Sequence, residues 1–200
     1  MKNIILTISL ISIINYCLAQ KPDGFHAGFL GGLVASQVDG DNYAGYDRPG
    51  IQFGGFTNFM INEDWGGQVE IKYIQKGSKN QSQKHGIYFE LKFDYIEVPL
   101  LVNYQFDEKI SFEGGFGVAY LIRALEDKDG DGFLEPEPPF ENYELNAIIG
   151  ANYKFSDHFI VNAKYSYSIL PIRPHPGNQT YYSDRGSYNN LLSVALYYMF

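Results

Sequence analysis

The most specific chemical motif in the sequence is a run of alternating carboxylates within residues 127–137. Aspartates stand at its first, third and fifth positions and a glycine at its sixth, as at the start of an EF-hand calcium loop. Alternate carboxylates can converge on one hard cation, and glycine permits the sharp turn between them. The motif predicts a calcium site formed by Asp127, Asp129, Asp131, the backbone carbonyl of Phe133, and Glu135.

Two features of this segment argue against calcium. The twelfth position, where an EF-hand needs a bidentate glutamate, is Pro138, and no flanking helices are predicted. Glu137 or Glu141 can complete a site only if the loop folds back. Residues 124–142 nevertheless hold seven acidic side chains against one basic side chain, Lys128, so a divalent cation would relieve their repulsion. A solvated acidic loop is the alternative, and both interpretations stay open at this point.

The sequence contains no constellation of nucleophile and base that is typical of an enzyme. Ser156, Asp157 and His158 are adjacent, but neighbours in one tight turn cannot converge into a catalytic triad. We therefore predict no catalytic residue, and no cofactor apart from the calcium discussed above. The remaining histidines are scattered along the chain at His26, His85 and His175.

Composition and charge narrow the class of protein. The chain has 200 residues, with 15 Lys and Arg against 23 Asp and Glu, and a formal net charge of −8. One domain is expected at that length. The acidic balance excludes a nucleic-acid binder, which needs a basic stripe to neutralise phosphates. The 21 Gly, 17 Tyr and 15 Phe favour β-structure over a helical domain.

Residues 1–19 have the pattern of a secretory signal peptide. A positive start and a mainly apolar stretch, too short to span a membrane as a helix, precede the small residue Ala19. We expect no lipidation at Cys17, because the bulky Tyr16 stands where a lipoprotein signal needs a small residue. Export with cleavage after Ala19 is predicted, which leaves residues 20–200 as one domain without cysteine.

Apolar and polar residues alternate along eight segments of the exported domain. In one of them Phe112 and Phe116 lie on one face, and Glu113 lies on the other. A period of two is typical of β-strands whose faces meet different surroundings, and no segment keeps a helical period over three turns. The predicted strands are residues 25–36, 50–61, 66–77, 87–106, 110–123, 143–155, 159–169 and 187–200.

The connections between these strands alternate between short and long. This alternation, strands of about ten residues and aromatic side chains beside the short turns are typical of outer-membrane barrels. We predict an all-β fold: an eight-stranded antiparallel up-and-down transmembrane β-barrel with a closed lumen, surrounded by outer-membrane lipids. A soluble lipocalin-like barrel is the alternative. The short turns are residues 62–64, 107–109 and 156–158, and the long loops are 37–49, 78–86, 124–142 and 170–186.

The interior of the predicted barrel is charged. Eight strands enclose a space that side chains just fill, so residues of both signs predict a paired network that closes the lumen. A β-bulge is expected near Tyr95 and Ile96 in the long fourth strand, since Pro99 cannot donate to a ladder. The charged residues assigned to the interior are Glu70, Lys72, Glu90, Lys92, Asp94, Glu97, Glu113, Arg123, Glu144, Lys154 and Lys164.

Three segments carry a family resemblance. Residues 70–78, 95–101 and 114–121 read EIKYIQKGS, YIEVPLL and GGFGVAYL, and they resemble the PorT-like outer-membrane β-barrel proteins of Bacteroidota. The final Phe200 also resembles the aromatic signal used by the barrel-insertion machinery. The resemblance implies an eight-stranded outer-membrane barrel and a link to secretion, the process associated with the family's founding member. It implies no catalytic residue.

The function predicted from these observations is non-enzymatic. We expect an outer-membrane barrel with a structural or interaction role in the cell envelope, supporting a secretion or surface complex through an envelope protein partner. An ion- or small-molecule-binding barrel, with calcium held by residues 127–137, is the second hypothesis. A lipid-modifying barrel enzyme is the third.

Overall fold

The computed structural model of the protein describes residues 25–41, 45–82, 87–174 and 186–200. The predicted signal peptide lies outside the described residues, so its cleavage stays a prediction. Within the described ranges there is no helix with the length and apolar character needed to cross a membrane. Eight strands are present: β1 (Phe25–Asp39), β2 (Arg48–Met60), β3 (Trp65–Ser82), β4 (Ile87–Gln105), β5 (Ile110–Asp127), β6 (Tyr143–Lys154), β7 (Phe159–Ser168) and β8 (Tyr188–Met199).

The strands form one closed barrel in which each strand pairs antiparallel with its neighbours in the sequence. The last strand, β8, closes the barrel on β1, with pairs running from Gly28–Met199 to Asp39–Tyr188. Closure gives strand backbones hydrogen-bond partners without an edge, which is the condition for crossing hydrocarbon with strands. The predicted eight-stranded antiparallel barrel is confirmed.

The three short turns are each held by one side-chain acceptor. Asn62 accepts the N–H groups of residues 64 and 65, and Ser156 accepts that of Phe159. Asp107 accepts the N–H groups of Lys109 and of residue 110, both at 2.8 Å, and these bonds lower the pKa of its carboxyl. Side chains that bond the backbone just ahead favour tight turns, which explains why these connections are so short.

The outer face of the barrel is apolar, and aromatic side chains surround its short-turn end. Outward residues such as Leu33, Ile71, Phe116 and Ile149 are more than half exposed in the isolated chain. Aromatic girdles of this kind sit at the interfaces of membrane barrels. The pairs at the turn end are Phe25–Phe59 (5.4 Å between centroids), Trp65–Tyr104 (4.9 Å), Phe106–Phe112 (6.0 Å) and Phe155–Phe159 (5.7 Å).

The wall of the barrel has unequal height at the long-loop end. Pairing of β3 with β2 ends at Ile74, whereas its pairing with β4 continues to Ser82. Pairing of β5 with β6 ends at Tyr120, whereas its pairing with β4 continues to Asp127. A three-stranded sheet therefore rises above the rest of the barrel; we call it the projecting sheet. The sequence placed the upper ends of β3 and β5 too early, because alternation of apolar residues fades there.

A β-bulge interrupts the β4–β5 ladder close to its predicted position. The register shifts between Asp94 and Tyr95, which pair with Arg123 and Leu121. The extra residue is therefore Ile122, on β5 rather than on β4. A bulge of this kind exposes two successive side chains on one face and redirects the strand.

Candidate functional site

The lumen of the barrel contains seven charged side chains, and at most 5% of the surface of each residue is exposed. Strand alternation turns them inward from five strands, whereas their neighbours on the same strands face outward. Burying so many charges is costly unless each has a partner, so their pairing decides whether the barrel is stable. The seven residues are Glu70, Lys72, Lys76, Glu97, Glu113, Glu144 and Lys164.

These side chains form a single alternating series of acids and bases, which we call the ion-pair chain. One end is Glu144, in the half of the lumen nearer the long loops, and the other end is Glu113, in the half nearer the short turns. Each lysine bridges two glutamates, so no charge in the series lacks an opposite neighbour. The contacts are Glu144–Lys76 (3.1 Å), Lys76–Glu97 (2.7 Å), Glu97–Lys72 (3.2 Å), Lys72–Glu70 (3.4 Å), Glu70–Lys164, and Lys164–Glu113 (3.2 Å).

Neutral donors complete the coordination of the two terminal glutamates. Glu144 accepts bonds from Ser168 at 2.8 Å and from Asn189 at 2.9 Å. At the other end, Glu113 accepts bonds from the amides of Asn162 at 2.8 Å and Asn152 at 3.2 Å. Each terminal glutamate pairs with one lysine rather than two. The amide and hydroxyl donors provide the hydrogen bonds that a second lysine would give.

Glycine provides the space that the ion-pair chain needs in the lumen. A Cβ at Gly150 would lie 2.7 Å from a carboxylate oxygen of Glu113 and 3.0 Å from the Lys164 side chain. The absence of a side chain at this inward position therefore lets the Lys164–Glu113 pair form. Glycine in this barrel wall is thus part of the construction of the lumen and not of a phosphate site.

An apolar cluster closes the lumen on the long-loop side of the ion-pair chain. Phe140 and Ile172, both outside the strands, insert among the inward side chains of the barrel and are buried. The centroid of the Phe140 ring lies 4.5 Å from that of Phe93, and the guanidinium carbon of Arg173 lies 3.6 Å from the centroid of the Phe140 ring. Burial lowers the pKa of Arg173, and its ion pair with Glu126 opposes that effect. The cluster and the ion-pair chain occupy successive levels of the lumen and obstruct it between the long-loop end and the turn-side mouth.

The interior assignments made from sequence were right for six residues and wrong for four. The ion-pair chain contains the six predicted residues Glu70, Lys72, Glu97, Glu113, Glu144 and Lys164. The inward residues of β4 include Phe93, Tyr95 and Glu97, so alternation places Glu90, Lys92 and Asp94 on the opposite face. Arg123 follows the bulge, faces outward and pairs with Asp94.

Two more lysines lie in or beside the lumen. Lys154 lies at the mouth of the lumen on the short-turn side, where it pairs with Asp157 at 3.1 Å. Lys76 is central to the ion-pair chain but was not assigned to the interior. Its position, in step with Glu70, Lys72 and Ile74, was the signal that could have found it.

The structure orders the acidic loop without bringing its carboxylates together. Within the described residues no three His, Cys, Asp or Glu side chains are arranged to hold a metal ion. Asp127 is buried and accepts the N–H of Gly130 at 2.7 Å, whereas Asp129, Asp131 and Glu135 are exposed. The backbones of residues 126 and 134 pair at 2.9 Å, and the Lys92 ammonium lies 3.6 Å from the Phe133 ring centre. Calcium binding by this loop stays a prediction.

The residues of the third short turn have separate partners. Ser156 bonds the backbone of Phe159, Asp157 pairs with Lys154, and the His158 ring bonds the carbonyl of residue 199 at 3.0 Å. They do not converge, in agreement with the argument from their adjacency. His26 lies at the turn-side mouth of the lumen, and His85 and His175 lie outside the described residues.

Comparison with known proteins identifies the class of barrel. Residues 18–173 match a family model described as outer membrane protein beta-barrel domain. The fold is similar to the crystal structure of Ail, the attachment invasion locus protein of Yersinia pestis, with 17% identity, a TM-score of 0.53, and coverage of 88% of this chain and 99% of Ail. It is also similar to Neisserial surface protein A, with 14% identity, a TM-score of 0.52, and coverage of 90% and 100%. No curated protein matches the chain.

Proposed function

The chain belongs to the outer membrane protein beta-barrel domain family, and on that premise we propose that it is a non-enzymatic envelope protein that binds a protein partner through its long-loop end. The observation that carries this proposal is the projecting sheet, combined with a lumen that is obstructed by the ion-pair chain and the apolar cluster. An obstructed lumen leaves the ends and the outer face of the barrel as its means of interaction. Long loops of such barrels face the cell exterior, and short turns face the periplasm.

The projecting sheet offers an edge for a partner strand. Residues 78–82 of β3 pair with β4 on one side, whereas the pairing of β3 with β2 has ended at Ile74. On the opposite side of the sheet, the bridge between residues 126 and 134 covers the edge of β5. Exposed strand edges are templates for β-augmentation by an extended segment of another protein. The edge of β3 is therefore the proposed contact.

The charge of the loop end favours a protein partner over a sulfated polyanion. Ail has been crystallised in complex with the heparin analogue sucrose octasulfate. In this chain, residues 124–142 carry seven acidic side chains and one basic side chain. Such a surface repels a polyanion, so we expect no binding of sucrose octasulfate here.

Site-specific crosslinking in cells tests the proposed contact. A photo-crosslinking residue at Lys79, on the edge of the projecting sheet, is expected to yield one discrete protein adduct. The same residue at Ile71, which faces the membrane, is the matched control and is expected to yield none. Equal results at the two positions would contradict the proposal.

A secretion role is the second candidate, supported by the resemblance of residues 70–78, 95–101 and 114–121 to PorT-like barrels of Bacteroidota. It differs from the first in requiring a stable envelope complex. Mild detergent extraction followed by size-exclusion chromatography separates the two. A stoichiometric partner that stays bound supports the secretion role, whereas a lone barrel that crosslinks only in intact cells supports the first.

A further inference from the structure

A cavity of about 230 Å³ opens at the short-turn mouth of the lumen. A water molecule occupies about 30 Å³ in the liquid, so the cavity has room for a small polar group with part of its hydration shell. It lies at the opposite end of the barrel from the projecting sheet, so a ligand bound there is separate from the partner proposed above. Five side-chain amides from four strands form most of its polar wall: Asn58, Gln68, Asn103, Gln105 and Asn152.

A buried carboxylate fixes the direction of two amides in this wall. An ionised carboxylate can only accept hydrogen bonds, so Gln68 presents its amino group to Glu70, at 2.7 Å. The carbonyl oxygen of Gln68 then accepts a bond from the amino group of Asn103, at 3.5 Å. Asn103 is left with its carbonyl oxygen, Oδ1, which is buried and has no donor among the described residues. The acceptor character of Glu70 is thus transmitted through two amides to the cavity wall.

Two other amides of the wall also direct their amino groups away from the cavity. Asn152 donates to Glu113 at 3.2 Å, and Gln105 donates to the backbone carbonyl of residue 110 at 3.4 Å. The donors of these amides are therefore occupied, whereas the oxygen of Asn103 lacks a partner. A buried acceptor without a donor destabilises the folded state, so a ligand that donates hydrogen bonds would be favoured here.

The charge around the mouth favours the same kind of ligand. The short turns carry five exposed acidic side chains against two lysines, Lys109 and Lys154, at the rim of the cavity. Behind the wall, the ion-pair chain adds one negative charge, because it contains four glutamates and three lysines. Fixed charges of this sign concentrate cations at the mouth. The five acidic residues are Glu63, Asp64, Asp107, Glu108 and Asp157.

We propose that the turn-side cavity binds the ammonium group of a periplasmic ligand. Such a group carries both a positive charge and N–H donors, and its hydrogen bonds to neutral oxygens are strengthened by the charge. Asn103 accepts one of these bonds, and the acidic side chains of the turns raise the local concentration of the ligand. Lys109 and Lys154 oppose binding, because each places an ammonium group of the chain itself at the rim.

Titration of the purified barrel tests this site. The isotope-labelled protein in nanodiscs of zwitterionic lipid is titrated with methylammonium at constant ionic strength, and the side-chain amides of Asn58 and Gln105 are followed by NMR. Saturable shifts are expected. Tetramethylammonium has the same charge but no N–H group, so it is the matched control ligand and should bind at least about tenfold more weakly.

Substitutions in the wall and at the rim should change the affinity in opposite directions. N103L removes the acceptor and should weaken methylammonium binding at least about tenfold, whereas N103D keeps an acceptor, adds a negative charge and should tighten it. K109Q should also tighten binding, because it removes a cation from the rim. K128Q, which removes a lysine from the acidic loop at the other end of the barrel, is the matched control and should bind like wild type.

Three results would overturn the proposal. The first is a linear response of the amides to methylammonium without saturation. The second is equal affinity for methylammonium and tetramethylammonium, which would show attraction of charge without a site. The third is weaker binding by K109Q or N103D than by wild type. Retention of the boiled-to-unboiled mobility difference shows that a variant still forms a barrel, and N103D and K109Q test the site even if N103L does not fold.

A second titration separates the sources of the ammonium group. Nα-acetyl-lysine amide carries the group on a lysine side chain, and an affinity at least equal to that of methylammonium would show that the cavity admits a side chain of a periplasmic protein. Binding of methylammonium alone would show that the site takes a small free amine. The crosslinking at Lys79 does not depend on either result, so failure of this site and failure of the proposed function are distinguishable.

Discussion

The wall and the lumen of this barrel are built from the same strands but are stabilised by opposite chemistry. Along β3, the outward Val69 and Ile71 alternate with the inward Glu70 and Lys72. The outward residues need only an apolar solvent, and many residue types satisfy that condition. The inward residues need particular partners at particular distances. The wall should therefore tolerate apolar exchange, whereas the lumen should tolerate few changes.

Breaking the ion-pair chain should have the largest effect. The substitution K164A leaves Glu70 and Glu113 without their shared lysine, and uncompensated buried charges cost about 3–5 kcal/mol. Urea unfolding of the barrel in lipid should show that loss in the free energy of unfolding. Glu70 keeps its contact with Lys72, so the double variant K164A/E113Q, which removes the charge left without a lysine, should recover part of that loss. A decrease of less than about 1 kcal/mol in the free energy of unfolding of K164A would contradict the stabilising role of the ion-pair chain.

A charge placed on the wall should come next. Ile71 is an outward residue, 61% exposed in the isolated chain, and lipid is expected to cover it. Arginine on the lipid face of a barrel costs about 2–4 kcal/mol near the bilayer midplane. The substitution I71R should therefore lower the free energy of unfolding in lipid by an amount of that order. The control L134R changes an exposed apolar residue of the acidic loop and should have little effect; equal losses would place Ile71 outside the membrane.

Neighbouring glycines on opposite faces sharpen the same comparison. A Cβ at the inward Gly32 would lie 2.2 Å from the carbonyl oxygen of Val194, whereas one at Gly31 meets nothing within 4 Å. We expect G32A to cost about 1–3 kcal/mol through strain, and G31A to change stability by less than about 0.5 kcal/mol. Unfolding in the same lipid measures both. Similar effects at the two positions would show that strand propensity, rather than the close approach of backbones, determines the change in stability.

Calcium should have the smallest effect. If the acidic loop binds the ion, millimolar calcium should raise the melting temperature by a few degrees, because a ligand that binds only the folded state stabilises it. The variant D129A/D131A should lose that rise, and magnesium at equal concentration controls for screening of charge. A wild-type melting temperature that ignores calcium would leave the segment as a solvated acidic loop.

The sequence predicted the barrel well because a membrane barrel imposes a simple pattern. All eight predicted strands overlap observed ones, and the short turns separate them as expected. The wrong interior assignments lie where the outer face of a strand no longer meets lipid, so that apolar and polar residues no longer need to alternate. Glu90, Lys92 and Asp94 belong to the projecting sheet, where the outer face meets water and a charge no longer indicates the lumen.

The candidate sites depended more on tertiary contacts than the strands did. Arg123 faces outward because the bulge at Ile122 reverses the alternation, which one sequence does not place to the residue. Phe140 and Ile172 reach the lumen from connections between strands, and no periodicity links them to the barrel core.

Heat-modifiability of the wild-type protein tests the central claim, that the chain is a closed barrel in the outer membrane, most directly. Membrane fractions are run on SDS gels with and without boiling, and the protein is detected by blotting. We expect the protein in the outer-membrane fraction, with a mobility that changes on boiling, because a closed barrel resists SDS until it is heated. A protein in the soluble fraction, or one with the same mobility before and after boiling, would contradict that claim.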